Sequence, residues 1–257
     1  MVFMNTPHLP HLPQRVLAIM AHPDDIEFMC GGTIARWARA GVELHYCLLT
    51  DGQAGSRDPS FTPESLAALR RVEQRRAADR FGVRSCTFLG YHDGRLFDTL
   101  DVRLKVARVI REVQPDTVIT SDPQFFYSQW YINHPDHRAA GQIATAAVMP
   151  IANTRLAAPE LLAEGLEPHD VTYVYLASPA QPTFFSALEE QDLREKIEAL
   201  GVHESQMATW DYRAMTRQFA EMQAAQARAA GLECALAESF VFIQLGGPRA
   251  PDGTEAQ

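Results

Sequence analysis

The chain alternates between short apolar runs and amphipathic stretches of helical length. Apolar runs of strand character occur at 15–20, 42–49, 86–89, 117–121, 171–176 and 240–245. Apolar residues recur at helical spacing in 27–40, 63–81, 98–113, 135–149, 188–200 and 204–230. The first run is apolar without interruption, which is typical of a strand buried on both faces of a parallel sheet. The pattern predicts an α/β fold, with a mostly parallel sheet, right-handed crossovers and flanking helices.

The predicted sheet belongs to a single domain, because no shift in composition divides the 257 residues. We expect an extended N-terminal arm at 1–14, the domain itself at 15–246 and a disordered tail at 247–257. The helical stretch at 185–230 is expected to lie over the sheet as a C-terminal appendage. Residues 150–170 contain three prolines and are expected to be irregular.

Composition narrows the classes of partner. A net charge of −9 disfavours non-specific binding to nucleic acid or anionic membranes, since both require basic surface. The four cysteines form no CxxC pair and lie in or beside apolar runs, which is typical of buried, reduced thiols. The early apolar run at 16–21 is too short for a signal peptide or a membrane span. We therefore expect a cytoplasmic protein that binds no nucleic acid and no membrane, with a homo-oligomer left open.

Polar side chains follow several predicted strands at the point where each strand ends. They are His22, Asp51, Asp93 and Asp122. The C-terminal ends of parallel strands meet at one edge of the sheet, and ligands bind there. The loop at 122–133 leads to the same edge and carries five aromatic residues. It is either a packed loop or one wall of a substrate pocket.

Two short motifs carry the candidate chemistry. Residues 22–25 read His-Pro-Asp-Asp, and residues 134–137 read His-Pro-Asp-His. A spacing of three brings two side chains of each motif toward one point. A catalytic zinc takes three protein ligands of these types and keeps one position for water. Each motif alone could be the capped start of a helix. Two such motifs, each following a strand of the same predicted parallel sheet, favour a metal site.

The candidate donors outnumber the three ligands of such a site. They are His22, Asp24, Asp25, His134 and His137. A metal-dependent hydrolase also needs a general base and a group that stabilises the developing oxyanion. One carboxylate and one imidazole therefore remain for these two tasks.

With both motifs in view, the chain resembles the LmbE-like, or PIG-L-like, family of metal-dependent de-N-acetylases. The matching positions are 21–33, 49–52, Gly55, Arg70, Glu73, 81–83, 115–116, 134–138, Lys196, Ala199, His203, Ser205, Gln206 and 237–240. The resemblance covers residues 15–245 and implies a Rossmann-like, mostly parallel sheet.

The resemblance also implies a metal centre whose ligands are His22, Asp25 and His137. Zinc is the expected cofactor, and a set of two histidines and one aspartate also accepts Fe(II), Co(II) or Mn(II). The implied enzyme is a zinc-dependent N-deacetylase. It would remove an N-acetyl group from an amino sugar or an amino-sugar conjugate, and its partner would be a small N-acylated sugar.

Five further side chains receive roles from the resemblance. Asp24 would be the general base and later the acid, and His134 would be a protonated imidazole that stabilises the oxyanion. Asp136 would contact neither metal nor substrate and would instead orient His134. Asp93 and Arg57 occupy places that resemble substrate-contacting positions.

Three alternatives stay open. An amidase of the same family would cleave a larger acyl group from a thiol or lipoglycopeptide conjugate, with the loop at 122–133 forming the acyl pocket. A non-catalytic metal- or sugar-binding module is a second alternative, but it would need neither Asp24 nor His134. A phosphoesterase would favour a second metal or basic residues at the same edge.

Overall fold

In the computed structural model, which describes residues 11–246, one seven-stranded sheet lies between two layers of helices. The strands are Arg15–Met20 (β1), Glu43–Thr50 (β2), Ser85–Tyr91 (β3), Thr117–Ser121 (β4), Tyr173–Ala177 (β5), Phe184–Leu188 (β6) and Leu236–Gln244 (β7). Their order across the sheet is β3-β2-β1-β4-β5-β7-β6. The first five run parallel, and β7 pairs antiparallel with both β5 and β6. The predicted mostly parallel α/β fold is therefore confirmed.

Eight α-helices cover this sheet within the described residues. They are Asp25–Arg39 (α1), Pro63–Arg80 (α2), Leu100–Val113 (α3), Pro135–Ala146 (α4), Pro159–Ala163 (α5), Glu190–Leu200 (α6), Glu204–Met207 (α7) and Tyr212–Ala229 (α8). Between residues 11 and 246, none combines the length and the apolar character that a membrane span requires. Most of the predicted arm and all of the predicted tail at 247–257 lie outside the described residues.

The central strand β1 divides the core into two halves. Val16, Ala18 and Met20 pack with α1 and α6 on one face, whereas Leu17 and Ile19 pack with α3 and α4 on the other. All five side chains have an exposed fraction of 0%. This two-sided burial explains the uninterrupted apolar run in the sequence, and it fixes the point at which the chain leaves the sheet after β1.

The helical appendage predicted at 185–230 is wrong at its start, because Phe184–Leu188 forms strand β6. This strand pairs with β7 along its whole length, from Phe184 opposite Phe240 to Leu188 opposite Leu236. A run of five mostly apolar residues is too short for its periodicity to separate a strand from a helix. The pairing with β7, which lies about fifty residues further along the chain, makes this segment a strand and not a helix.

Two predicted helices are also shorter than expected. The helix predicted at 204–230 is divided into α7 and α8, since the Asp211 side chain accepts a hydrogen bond from the Ala214 amide and starts a new helix. The helix predicted at 135–149 ends at Ala146. There the chain enters a wider turn, Ala147–Ala152, that contains Pro150.

A close approach between α4 and the end of β4 gives a test of this packing. A Cβ atom at Gly141 would lie 2.3 Å from the Ser121 carbonyl oxygen and 2.9 Å from Pro123. We expect Gly141→Ala to lower the free energy of unfolding by about 1–3 kcal/mol, as overpacking does in well-packed interiors. Urea denaturation measures the change. The exposed neighbour provides the control, since Gln142→Ala should stay within about 0.5 kcal/mol of wild type. Equal stability of both variants would contradict the close packing.

Candidate metal centre

The turn between β1 and α1 is held by side chains of α2. Asp24 has a left-handed backbone with φ 89°, and its amide donates to Gln74 Oε1 at 2.9 Å. Arg70 Nη2 donates to the Pro23 carbonyl at 2.6 Å and to Asp24 Oδ2 at 3.1 Å. The Asp24 carboxylate makes no capping hydrogen bond to α1, although Asp24 is the N-cap residue. The capped-turn interpretation of the first motif therefore does not account for this side chain.

Three donors of the two motifs converge at this turn. His22 Nδ1 lies 3.3 Å from Asp25 Oδ2, and His137 Nε2 lies 3.1 Å from Asp25 Oδ1. These side chains offer ligand atoms that all lie within 4.8 Å of one another. Ligand atoms around a tetrahedral zinc, with bonds of about 2.0–2.1 Å, stand about 3.3 Å apart. Both the spacing and the chemistry of the two nitrogens and one carboxylate therefore fit a metal ion.

The far side of the His22 ring faces two more carboxylates. Its Nε2 lies 3.1 Å from Asp93 Oδ1 and 3.4 Å from Asp136 Oδ2. Burial lowers the pKa of His22, but Asp25, Asp136 and Asp93 together raise it well above its ordinary value. A positive charge at this position, whether a proton or a metal ion, is therefore stabilised. Carboxylates beyond Nε2 also favour the tautomer whose Nδ1 lone pair points to the metal position.

Asp136 contacts a different histidine from the one expected. Its Oδ2 accepts from the Gly94 amide at 2.7 Å and its Oδ1 from the Leu96 amide at 3.3 Å, beside His22. Only its backbone N–H reaches His134, donating to Nδ1 at 3.2 Å. No side-chain hydrogen bond joins Asp136 to His134, and the orienting role of this carboxylate stays a prediction. The carboxylate fixes the 94–96 turn against His22, because two backbone amides there need an acceptor.

His134 is the N-cap residue of α4, and its ring lies at the rim of the centre. Because Nδ1 accepts a hydrogen bond, the proton of the neutral ring is on Nε2, which stands 3.8 Å from Asp93 Oδ1. Burial, His22 and His137 lower the pKa of His134 and outweigh the opposite effects of Asp136 and Asp93. This arrangement favours a neutral donor, in contrast to the protonated imidazole implied by the resemblance.

The two residues expected to contact substrate lie in different surroundings. Asp93 is 8% exposed, and its Oδ2 accepts from the Ala54 amide at 3.2 Å. Burial raises the pKa of Asp93, but His22, the Ala54 amide and His134 lower it more, to about 2. Arg57 is exposed in the loop between β2 and α2 and forms no ion pair with any described residue. The structure therefore brings Asp93 to the centre, while a substrate contact of Arg57 stays a prediction.

Asp51 and Asp122 also follow strands at this edge but are engaged elsewhere. Asp51 binds Arg71 through two hydrogen bonds of 2.7 and 2.6 Å. Asp122 Oδ1 accepts from the Gln124 amide at 2.9 Å and so shapes its own loop. Of the four residues predicted to gather, only His22 and Asp93 contact each other.

A buried polar cluster behind Asp24 received no role from the sequence. Gln74 Nε2 donates to Glu27 Oε1 at 2.9 Å, and Glu27 Oε2 lies 3.3 Å from His203 Nε2. All three residues are 0% exposed. Arg70 and His203 belong to the matching motifs, which is the signal that could have found them. Glu27 carries the same signal, because it lies in the matching stretch 21–33.

This geometry defines a class of protein. A set of two histidines and one aspartate at the C-terminal edge of an α/β sheet, beside a carboxylate and an imidazole, is the arrangement of a metal-dependent hydrolase centre. The chain belongs to the PIG-L, or LmbE-like, family, because the family model described as GlcNAc-PI de-N-acetylase matches residues 17–148.

Similar proteins support this assignment. The diacetylchitobiose deacetylase of Thermococcus kodakarensis is 35% identical over 194 residues, which cover 75% of this chain and 70% of that protein. The inhibitor-bound N,N'-diacetylchitobiose deacetylase of Pyrococcus horikoshii superposes with a TM-score of 0.80 and 29% identity, covering 90% and 84% of the two chains. GalB of Pseudomonas putida, a 4-carboxy-2-hydroxymuconate hydratase, gives a TM-score of 0.72 at 25% identity, covering 95% and 99%. The fold thus hosts deacetylases and at least one other reaction.

Removing the Asp136 carboxylate tests its contact with the 94–96 turn. We expect Asp136→Ala to lower the free energy of unfolding by about 2–5 kcal/mol, because it leaves two backbone amides without their acceptor. Urea denaturation in the presence of a chelator measures this without a contribution from metal. Asp136→Asn keeps one acceptor oxygen and should lose less. Wild-type stability in the alanine variant would refute this role.

Proposed function

We propose that this protein is a zinc-dependent N-deacetylase that releases acetate from an N-acetylated amino sugar or amino-sugar conjugate. The observation that carries the proposal is the Asp24 carboxylate. It stands beside three metal-type donors and takes no part in capping its helix. A pure binding module would need no such group. The cytoplasmic location expected from charge and cysteine content remains part of the proposal.

His22, Asp25 and His137 would hold the metal. A bound zinc supplies two effects, a lower pKa for a water molecule and polarisation of the substrate carbonyl. The donor set supports this choice, although it accepts other divalent metals as well. Asp93 and Asp136 would act from behind His22, where their charges keep the ring in the tautomer that binds through Nδ1.

Asp24 would move the proton. Its Oδ2 is held by Arg70, so Oδ1 takes a proton from the attacking water and returns it to the leaving amine. Burial, together with Asp25, raises the pKa of the Asp24 carboxyl against the opposing charges of Arg70, His203 and His22. A carboxylate with a raised pKa is a stronger base at neutral pH, which suits this step.

His134 would stabilise the oxyanion that develops on the acetamide carbonyl. Its Nε2–H is a donor because Nδ1 accepts the Asp136 amide. A neutral donor fixed before the reaction starts needs little reorganisation as charge develops. Asp93, near the same nitrogen, would accept hydrogen bonds from the sugar hydroxyls. Arg57 stays a proposal for substrate contact, from the exposed loop on which it lies.

The relatives supply the substrate class. Two of them are named for diacetylchitobiose and the family model is named for GlcNAc-PI, so N-acetylglucosamine is the shared group. The hydratase neighbour shows that the fold alone does not fix the reaction. Amide cleavage therefore has to be measured directly.

A substrate screen tests the proposed reaction. We expect zinc-loaded protein to release equal amounts of acetate and free amine from N-acetylglucosamine conjugates such as diacetylchitobiose. A chelator should abolish release, and added zinc should restore it. Release of only a larger acid from long-chain N-acyl conjugates would favour the amidase alternative. If no amide in the screen is cleaved, the deacetylase assignment fails.

Two variants separate proton transfer from metal binding. We expect Asp24→Asn to lower kcat by about 10²–10⁴-fold while the protein still binds one metal ion, because general acid–base catalysis contributes a factor of that size. His22→Ala should instead lose the metal, as measured by elemental analysis after dialysis. Near-normal acetate release by Asp24→Asn would show that another group is the base.

A further inference from the structure

Asn133 lies directly before the second motif and is only 5% exposed. Its Oδ1 is 2.9 Å from His137 Nδ1, and its Nδ2 donates to the Phe125 carbonyl at 2.8 Å. Its backbone amide donates to the Phe126 carbonyl at 2.9 Å, and its own carbonyl accepts from Arg138 Nη1 at 2.8 Å. Every polar group of this residue therefore has a partner within the loop or α4.

These contacts determine which way the Asn133 amide points. A carbonyl oxygen such as that of Phe125 accepts hydrogen bonds and cannot donate them, so the atom facing it must be the NH2 group. The opposite orientation would bring two acceptor oxygens together. The oxygen Oδ1 is consequently the atom that faces the His137 ring.

The orientation of the amide determines in turn the tautomer of His137. An amide oxygen can only accept, so His137 Nδ1 must carry the proton. The lone pair of the neutral ring is then on Nε2, the nitrogen that lies 3.1 Å from Asp25 Oδ1. Asn133 thus selects the nitrogen that faces the metal position.

The two histidine ligands are held by different means. The carboxylates of Asp93 and Asp136 face His22 Nε2, whereas the neutral amide of Asn133 faces His137 Nδ1. The loop that ends in Asn133 is a short hairpin closed by a bridge between Tyr127 and Ile132, and both of these side chains are exposed. The amide therefore connects an exposed aromatic hairpin to a buried ligand.

We propose that Asn133 is a positioning residue that holds His137 in the Nδ1–H tautomer and so sets the metal affinity of the centre. The inference rests on the metal site of the proposed function. Partners behind a ligating histidine typically change metal affinity by 10–100-fold when they are removed, because they fix the ring and raise its basicity.

Three variants test this. We expect Asn133→Ala to weaken binding of zinc and cobalt by about 10–100-fold in chelator competition, and to alter the visible absorption of the cobalt-loaded protein. Asn133→Asp loses the donor to the Phe125 carbonyl but keeps an acceptor for Nδ1–H, so it should restore affinity and spectrum toward wild type. Arg138→Ala is the matched control. It removes the contact to the Asn133 carbonyl and the guanidinium stacked over Phe126, yet leaves the His137 contact in place.

The inference predicts that metal affinity and the cobalt spectrum change only when the acceptor for His137 Nδ1–H is lost. It would be overturned if Asn133→Ala bound cobalt with wild-type affinity and spectrum. It would also be overturned if Arg138→Ala weakened binding as much, since loop packing would then be the cause. Wild-type protein that binds neither zinc nor cobalt would refute the proposed function as well, which distinguishes the two failures.

Discussion

The site depends on the left-handed backbone of Asp24. A residue other than glycine with φ 89° is strained by roughly 1–3 kcal/mol, so the surrounding structure must hold it. Gln74 and Arg70 do so from α2. Arg70 also donates to the Gly52 carbonyl, and it fills the space in which a Cβ of Gly52 would stand. The same turn separates two adjacent carboxylates, so that Asp25 faces the histidines and Asp24 faces the guanidinium.

Charge gives the centre its second constraint. Three buried or nearly buried carboxylates, Asp25, Asp93 and Asp136, surround His22. In such surroundings a positive charge is stabilised and a further negative charge is not. A divalent metal meets this requirement, and its ligands then need partners behind them to fix their rings. Asp93 and Asp136 lie beside His22, and Asn133 lies beside His137, so all three would serve this purpose for the proposed ligands.

The second motif shows how one helix start serves several tasks. Pro135 begins α4, His134 caps it, and the Asp136 amide fixes the proton of that cap. One turn later, His137 Nε2 reaches Asp25 Oδ1, at the proposed metal site. A close packing of Gly141 on β4 sets the distance of this helix from the sheet. The position of the second half of the centre is therefore a consequence of helix packing as well as of the motif.

Much of this arrangement could be predicted from the sequence. The uninterrupted apolar run at Arg15–Met20 predicts a central buried strand, and the two motifs at the ends of parallel strands predict where they meet, since period and spacing are local properties. Strand β6 could not be predicted, because its identity depends on pairing with β7. The partners of Asp136, the hydrogen bond that His134 Nδ1 accepts and the contact of Asn133 were equally beyond reach. Each is decided by groups that are distant in sequence or by the direction of a single hydrogen bond, and only the tertiary structure fixes those.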